Sequence, residues 1–259
     1  MKIVSYNVNG IRSAFRKGLL EWIEDNDFDV VCVQETKSQP DAAPTMLLES
    51  LGYRHFWHPA ERKGYSGVAT ICKRQPDKVY EGIGIPKYDQ EGRVLRTDFG
   101  DITIINCYFP NGGQGAERQA FKLQFLDDFQ HWIEPLLEER PNMIVLGDYN
   151  IAHQKIDINS PQRNKAKSGF LPEEREWFSS WLDSGFVDSF RHLHPDEVSY
   201  TWWRVTQFAR KTNKGWRLDY QCVSDELASR IQTAEHMHDA QHSDHCPVLL
   251  ELSSNLKTD

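Results

Sequence analysis

The chain has 259 residues, 39% of them hydrophobic, and its 38 acidic against 30 basic side chains leave a net charge of −8. That length buries a substantial core and the twelve prolines are scattered singly, so one domain spanning residues 1–259 is expected, with no linker, repeat or low-complexity tract. No apolar run approaches the ~20 residues of a membrane span, and Met1-Lys2 leads directly into a strand-like run, which points away from a membrane or secreted protein and toward a soluble, cytoplasmic one.

In chain order, Ile3-Val-Ser-Tyr reads as a buried strand ending at Asn7. The apolar spacing of Leu19, Leu20 and Ile23 predicts a helix over Lys17 to Asn26, which returns the chain to Val30-Val-Cys-Val-Gln, a strand ending at Glu35. A short helix is expected over Asp41 to Leu51, stopped by Gly52. Lys63-Gly-Tyr-Ser-Gly67 is a glycine-bracketed turn that can present Tyr65 and backbone N–H groups to a phosphate, and Val68 to Cys72 follows as a strand. Asp98 to Tyr108 looks like a hairpin whose second arm, Ile102-Thr-Ile-Ile-Asn-Cys, delivers Tyr108 to the glycine-rich loop Asn111-Gly-Gly-Gln-Gly115. Phe121, Phe125, Leu126, Phe129, Trp132, Ile133, Leu136 and Leu137 mark the strongest amphipathic helix, and these aromatics are read as core. Met143-Ile-Val-Leu is too short for a helix and stops in Gly147, Asp148 and Asn150, where the glycine allows close backbone approach. Pro172 suits the first position of a helix whose apolar face carries Trp177, Phe178, Trp181 and Leu182. Trp216-Arg-Leu then leads to Asp219, and Asp244-His245 stand just before Pro247-Val-Leu-Leu-Glu-Leu252. Only Ser253 to Asp259 read as a tail. Alternating strands and helices with hairpin-like runs predict a mixed-sheet α/β protein.

Six apolar runs thus each carry a carboxylate, amide, phenol or imidazole at one end, and strands sharing a sheet bring such ends together into one polar site. The set is rich in oxygen and has no cysteine pair, which suits Mg²⁺ or Mn²⁺ better than zinc. The five cysteines lie in or beside strand-like runs, as small hydrophobes in a reducing compartment. Acids cluster in Glu21 to Asp29 and Glu134 to Glu139, whereas Arg204, Arg210, Lys211, Lys214 and Arg217 form an acid-free stretch, as do Arg163, Lys165 and Lys167. An acidic protein with one basic face still meets a phosphate backbone favourably.

Eight blocks in order carry a family resemblance. They are Ser5-Tyr-Asn-Val-Asn-Gly-Ile-Arg12, Gln34-Glu-Thr-Lys37, Gly64-Tyr-Ser-Gly-Val-Ala69, Tyr108-Phe-Pro-Asn-Gly112, Gly147-Asp-Tyr-Asn-Ile-Ala-His153, Ser168-Gly-Phe-Leu-Pro-Glu-Glu-Arg175, Gly215-Trp-Arg-Leu-Asp-Tyr220 and Ser243-Asp-His-Cys-Pro247. Together they resemble the exonuclease III family of apurinic/apyrimidinic endonucleases. The resemblance implies an α/β fold of the α+β type: a DNase I-like four-layer sandwich of two packed mixed β-sheets flanked by α-helices. It implies Mg²⁺-dependent cleavage, with Mn²⁺ as a possible substitute, of duplex DNA 5′ to an abasic site, leaving a 3′-hydroxyl. Activity at 3′ ends, as exonuclease and phosphatase, goes with it, in a monomer without membrane attachment.

By this resemblance Glu35 binds the metal with Asn7 and Asp244, and Asp148, Asn150 and His245 complete the metal site. Asp148 orients or deprotonates the attacking water, Asn150 holds it, Asp219 fixes the His245 imidazole against the phosphate, and Tyr108 contacts the same phosphate. Trp202, Trp216 and Leu218 form a small apolar pocket for the base-less sugar. Arg12, Lys17, Gly64, Tyr65, Asn111 and Asn164 match positions contacting the DNA backbone, and the basic stretch around Arg210 adds to them. Two positions depart from the pattern: Gln114 stands where some relatives place an arginine, and Lys167 replaces a common asparagine. Two other readings stand beside this one, a phosphatase for inositol phosphates or phospholipids and a DNA-binding module without catalysis. Gly215-Trp-Arg-Leu-Asp219 and the full set Asn7, Glu35, Asp148, Asp219 and His245 weigh against them.

Overall fold

The computed structural model describes residues 1–205 and 208–253, so the tail expected from Ser253 onward falls, from residue 254, outside the described residues. Strand β1 (Lys2–Asn7) is followed by two short helices, α1 (Ile11–Arg16) and α2 (Leu19–Asn26), and by β2 (Val30–Gln34). Helix α1 was not foreseen, and the break between it and α2 is Gly18, whose φ of 91° caps the second helix in the left-handed region. The helix expected over Asp41 to Leu51 is interrupted: a 3₁₀ turn at Pro40–Ala42 ends in extended Ala43, and α3 (Thr45–Ser50) starts only beyond Pro44. A residue before proline is pushed out of the helical region, which divides the segment there.

The chain continues through β3 (Arg54–His58), β4 (Val68–Cys72), β5 (Lys78–Glu81), α4 (Pro86–Asp89) and the hairpin of β6 (Val94–Phe99) and β7 (Ile102–Tyr108). The long helix α5 (Ala116–Glu139) crosses over to β8 (Asn142–Asp148), and a short helix α6 (Pro161–Asn164) and α7 (Pro172–Asp183) lead to β9 (Phe186–Asp188). After α8 (Ser189–Leu193) come the two-residue strands β10 (Trp202–Trp203) and β11 (Gly215–Trp216), then β12 (Asp219–Ser224), α9 (Asp225–Ala228), β13 (Ile231–His236) and β14 (Val248–Leu252).

Two six-stranded mixed sheets result, ordered β13-β14-β1-β2-β4-β3 and β5-β6-β7-β8-β12-β9. Each holds one parallel pair, β1 with β2 and β7 with β8, joined by helices, while the other neighbours are antiparallel. The sheets face each other across Ile3, Cys32, Ile104, Ile144, Leu146, Val223 and Leu250. The outer face of the first sheet, with Val4, Val31 and Val33, is covered by Ile11, Leu19 and Ile23 of α1 and α2. On the second sheet, Ile105 and Val145 meet Phe125 and Phe129 of α5 and Phe178 and Trp181 of α7. The four layers of helix, sheet, sheet and helix bury both faces of the central strands, which is why those runs are apolar throughout rather than alternating. Among the described residues no helix is long and apolar enough to cross a membrane.

The six polar-ended runs, expected to converge on one site in a fold of two packed mixed sheets, are divided between those sheets, with β1, β2 and β14 in the first and β7, β8 and β12 in the second. The ends still converge, because β1, β2, β7 and β8 finish at the same edge where antiparallel β12 and β14 begin. Buried amides fix the sheets against each other just below that edge. Gln34 donates to Asn106 Oδ1 at 2.8 Å, Asn106 donates to the Ala69 carbonyl at 2.9 Å, and Gln221 donates to the Val248 carbonyl at 2.7 Å.

Candidate active site

Strand β8 delivers the central carboxylate. At Gly147 a side chain would collide with the Cys107 carbonyl on the neighbouring strand, so glycine alone lets β8 carry Asp148 to the seam between the sheets. Asp148 Oδ1 accepts the Asn150 backbone N–H at 2.8 Å, and Oδ2 accepts the Asn7 amide at 2.9 Å. The same Asn7 nitrogen donates to Glu35 Oε1 at 2.9 Å, so one amide from the first sheet holds a carboxylate from each. Glu35 and Asn150 both lie in the left-handed region, at φ of 51° and 53°. Two non-glycine residues held there beside one another mark a constrained site rather than ordinary strand ends.

Across the seam, Asp219 Oδ2 accepts from His245 Nδ1 at 2.8 Å and from the Thr201 hydroxyl at 2.6 Å. The other imidazole nitrogen, Nε2, stands 3.9 Å from Asp148 Oδ2. Glu35, Asp148 and His245 each offer a ligand atom, and these atoms lie within 4.8 Å of one another. Asp244 stands apart from this group, its Oδ1 accepting from Asn9 at 2.9 Å and its Oδ2 from the Trp202 indole at 3.1 Å.

Burial and the Asp219 charge push Asp148 up to about 7, against the pull of His245. Burial opposes a charge on His245, but Asp219, Asp148 and Asp244 outweigh it and bring the imidazole up to about 10, so it is cationic at neutral pH. Burial would raise Glu35 too, yet the Lys37 ammonium, 2.7 Å away, and the Asn7 amide hold it below the usual carboxylate range. Burial and the charges of Glu35 and Asp148 keep the Tyr108 phenol protonated far above its ordinary range.

Beside these groups lies a cleft of about 1390 Å³, lined by Glu35, Tyr108, Asp148, Asn150, Asp244 and His245 and, of the expected DNA contacts, by Asn111, Asn164, Trp202, Trp216 and Leu218. Trp202, Trp216 and Leu218 pack with Ala152, Ile158 and Phe170, giving the cleft one apolar wall. Arg12, Gly64 and Tyr65 line a separate hollow of about 270 Å³ beside Lys37. Lys17 and Arg210 border another on the far side of Asp244, and Gln114 lies in a third with Arg118.

Several charges are already committed within the chain. Arg210 donates to the carbonyls of His238 and Ala240 at 2.8 and 2.7 Å, and Lys17 to that of His242 at 3.0 Å. Arg217, counted in the basic stretch, is fully buried against Asp157 and Asp188, each at 2.7 Å. The basic residues that do line the cleft are Arg163, Lys167, Arg204 and Lys214. Sequence reasoning passed over Asn9, Lys37 and Thr201, which hold Asp244, Glu35 and Asp219; Lys37 stood in a quoted block, but a hydroxyl 18 residues from its partner left no local signal.

A family model described as the Endonuclease/Exonuclease/phosphatase family matches residues 4–245. The chain is 42% identical to an exodeoxyribonuclease of Bacillus subtilis over 96% of its own length and 98% of the relative's. It is 41% identical to the DNA repair nuclease APEX1 of Danio rerio, over 98% of this chain and 82% of that one. An AP endonuclease structure from Archaeoglobus fulgidus superposes with a TM-score of 0.91 at 30% identity, covering 98% of this chain and 100% of the other.

Proposed function

The chain belongs to the Endonuclease/Exonuclease/phosphatase family, as a DNA-repair nuclease of DNase I-like fold, and from that premise we propose that it hydrolyses the phosphodiester 5′ to an abasic site in duplex DNA. The observation that carries this reading is the pairing of a carboxylate and imidazole centre with an apolar wall of Trp202, Trp216 and Leu218 in one cleft. A sugar without its base is small enough to lie against such a wall where an intact nucleotide would be too bulky, and turning it out of the helix costs least where pairing is already lost. The basic residues Arg163, Lys167, Arg204 and Lys214 suit the flanking phosphates.

The donor set fits a divalent cation, since two carboxylates of different strands approach each other with one amide between them. Glu35 and Asp148 would hold Mg²⁺, with Mn²⁺ as a substitute, and the ion would supply neutralising charge at the phosphate. The imidazole, tied to Asp219 through Nδ1, presents its other nitrogen to the carboxylate group and to the phosphate as a donor. The amide of Asn150 is engaged with Asp148, Phe109 and Asn111, which makes it an orienting group, and Asp244, outside the compact group, shapes the rim with Trp202.

Asp148, held by the Asn7 amide and the Asn150 backbone N–H, orients or deprotonates the attacking water. The water oxygen bonds to phosphorus, the bond from phosphorus to O3′ breaks, O3′ takes a proton from solvent, and the products are a 3′-hydroxyl and a 5′-phosphate on the base-less sugar. His245 and Tyr108 present N–H and O–H to the phosphate oxygens as charge builds there. The same steps serve a 3′-terminal nucleotide or phosphate. The protein acts as a one-domain, cytoplasmic monomer on duplex DNA.

The test is incubation of the purified protein with Mg²⁺ or a chelator and three substrates: a duplex with one abasic site, an intact duplex with a recessed 3′ end, and an inositol polyphosphate. Metal-dependent incision of the abasic duplex, with slower attack on the recessed end, is expected. Turnover of the inositol polyphosphate alone would sink the reading.

A further inference from the structure

The block Ser168-Gly-Phe-Leu-Pro-Glu-Glu-Arg175 contributes no atom to the carboxylate group or to the Asp219–His245 pair, yet it encloses a carboxylate on which five donors converge. Glu174 Oε2 accepts the backbone N–H groups of Gly169 and Leu171 at 2.6 and 3.0 Å. Its Oε1 accepts from the Ser168 hydroxyl at 3.1 Å, the Gln119 amide at 3.0 Å and the Lys122 ammonium at 2.7 Å. Lys122 also donates to the main-chain carbonyl of Asn150 at 2.7 Å. Neither charged side chain is exposed at all.

We infer that Lys122 and Glu174 are positioning residues for the reaction proposed above: they fix the carbonyl of Asn150, and through it the amide facing Asp148, relative to the cleft wall at residues 168–171. The inference rests on that reading of the site. Asn150 is held at φ 53°, with its backbone N–H on Asp148 and its carbonyl on the Lys122 ammonium. Its nitrogen end is fixed by Asp148, and its oxygen end would otherwise be buried with no charged donor.

A structural clamp between α5 and α7 has no need of charge. The two helices already meet through Phe125, Phe129, Phe178 and Trp181, and a buried ion pair replaced by apolar side chains often leaves stability unchanged or higher. An apolar pair cannot supply a donor to the Asn150 carbonyl. Gly169 completes the arrangement, since a Cβ there would lie 3.1 Å from that same carbonyl oxygen, so the wall and Asn150 are in mutual contact.

The test is the double variant Lys122→Met/Glu174→Gln, which leaves no unpaired buried charge, assayed on an abasic duplex with Mg²⁺. It should unfold cooperatively near the parent's Tm and keep KM within about twofold, while kcat falls roughly tenfold to a hundredfold, as for a misplacement on the order of 1 Å. Lys122→Arg, which keeps a donor, should recover much of the loss. The side-chain amide resonance of Asn150 should move in the double variant and return in Lys122→Arg. If the double variant does not fold, Lys122→Met, in which Glu174 keeps four donors, makes the same comparison. A folded variant with parental kcat and an unmoved Asn150 resonance would overturn the inference. Should the parent itself fail to cut abasic DNA, the proposed reaction falls, and the Asn150 resonance alone decides the positioning.

Discussion

At Asp219 one carboxylate oxygen serves two donors, the His245 imidazole and the Thr201 hydroxyl, and the hydroxyl oxygen in turn accepts the backbone N–H groups of Leu218 and Asp219 at 3.0 and 3.1 Å. The imidazole is therefore oriented by a chain of three residues, of which Thr201 never faces the cleft. Groups that act as a unit lose their function together. Asp219→Ala and His245→Ala should each lower single-turnover incision by about a hundredfold or more, and the double variant should be little worse than the worse single change. Thr201→Val keeps both charged groups and should cost about tenfold. Strictly additive losses in that series would dissolve the unit.

At the level of elements, the strands were legible and their partners were not. An apolar run ending in Asp148 or Glu35 announces a buried strand, but nothing within four or five residues says which of the two sheets it enters, so the division of the six runs between the sheets is read only from the structure. The register that joins Asp219 to Asp148 couples residues far apart in sequence. Charge was the other blind spot, because Lys and Arg read as solvated unless a partner is in view. For Lys122 a signal existed: with Phe125, Leu126, Phe129, Ile133 and Leu136 it falls on the buried stripe of α5, at helical spacing. For Arg217 there was none, and the basic stretch was overcounted. The correction changes what salt dependence should show. Lys211→Ala, on an exposed residue, should lower DNA affinity and reduce the salt slope by roughly one unit if it meets a phosphate. Arg210→Ala, which strips three carbonyls of a donor, should lower Tm and leave that slope nearly unchanged. Equal slope changes for the two would return Arg210 to the DNA face.

The whole molecule depends on polar groups buried behind the apolar wall of the cleft. Asp157 is fully buried between Arg217 and Arg191, and although burial alone would raise it, the two guanidinium groups bring it down to about 2. A folded-state value below the unfolded one near 4 means that this stabilisation is whole above about pH 4 and is lost as pH falls toward 2; the difference corresponds to roughly 2–3 kcal/mol. Asp157→Asn should cost about 3–5 kcal/mol in urea unfolding at neutral pH, because it leaves Arg217 buried with too little compensation, and should flatten the acid limb of the stability curve. A variant as acid-sensitive as the parent would show that another group governs that limb. The seam itself has a consequence in time. The strand that carries His245 into place, β14, comes after the other strands among the described residues, and it enters the first sheet beside β1. A chain emerging from the ribosome thus displays Asn7, Glu35, Asp148 and Asp219 while still lacking the strand that draws the imidazole to them. On the reaction proposed above, a chain stopped before β14 should leave an abasic duplex uncut, and incision by such a truncated chain would show that the imidazole reaches the carboxylates without that strand.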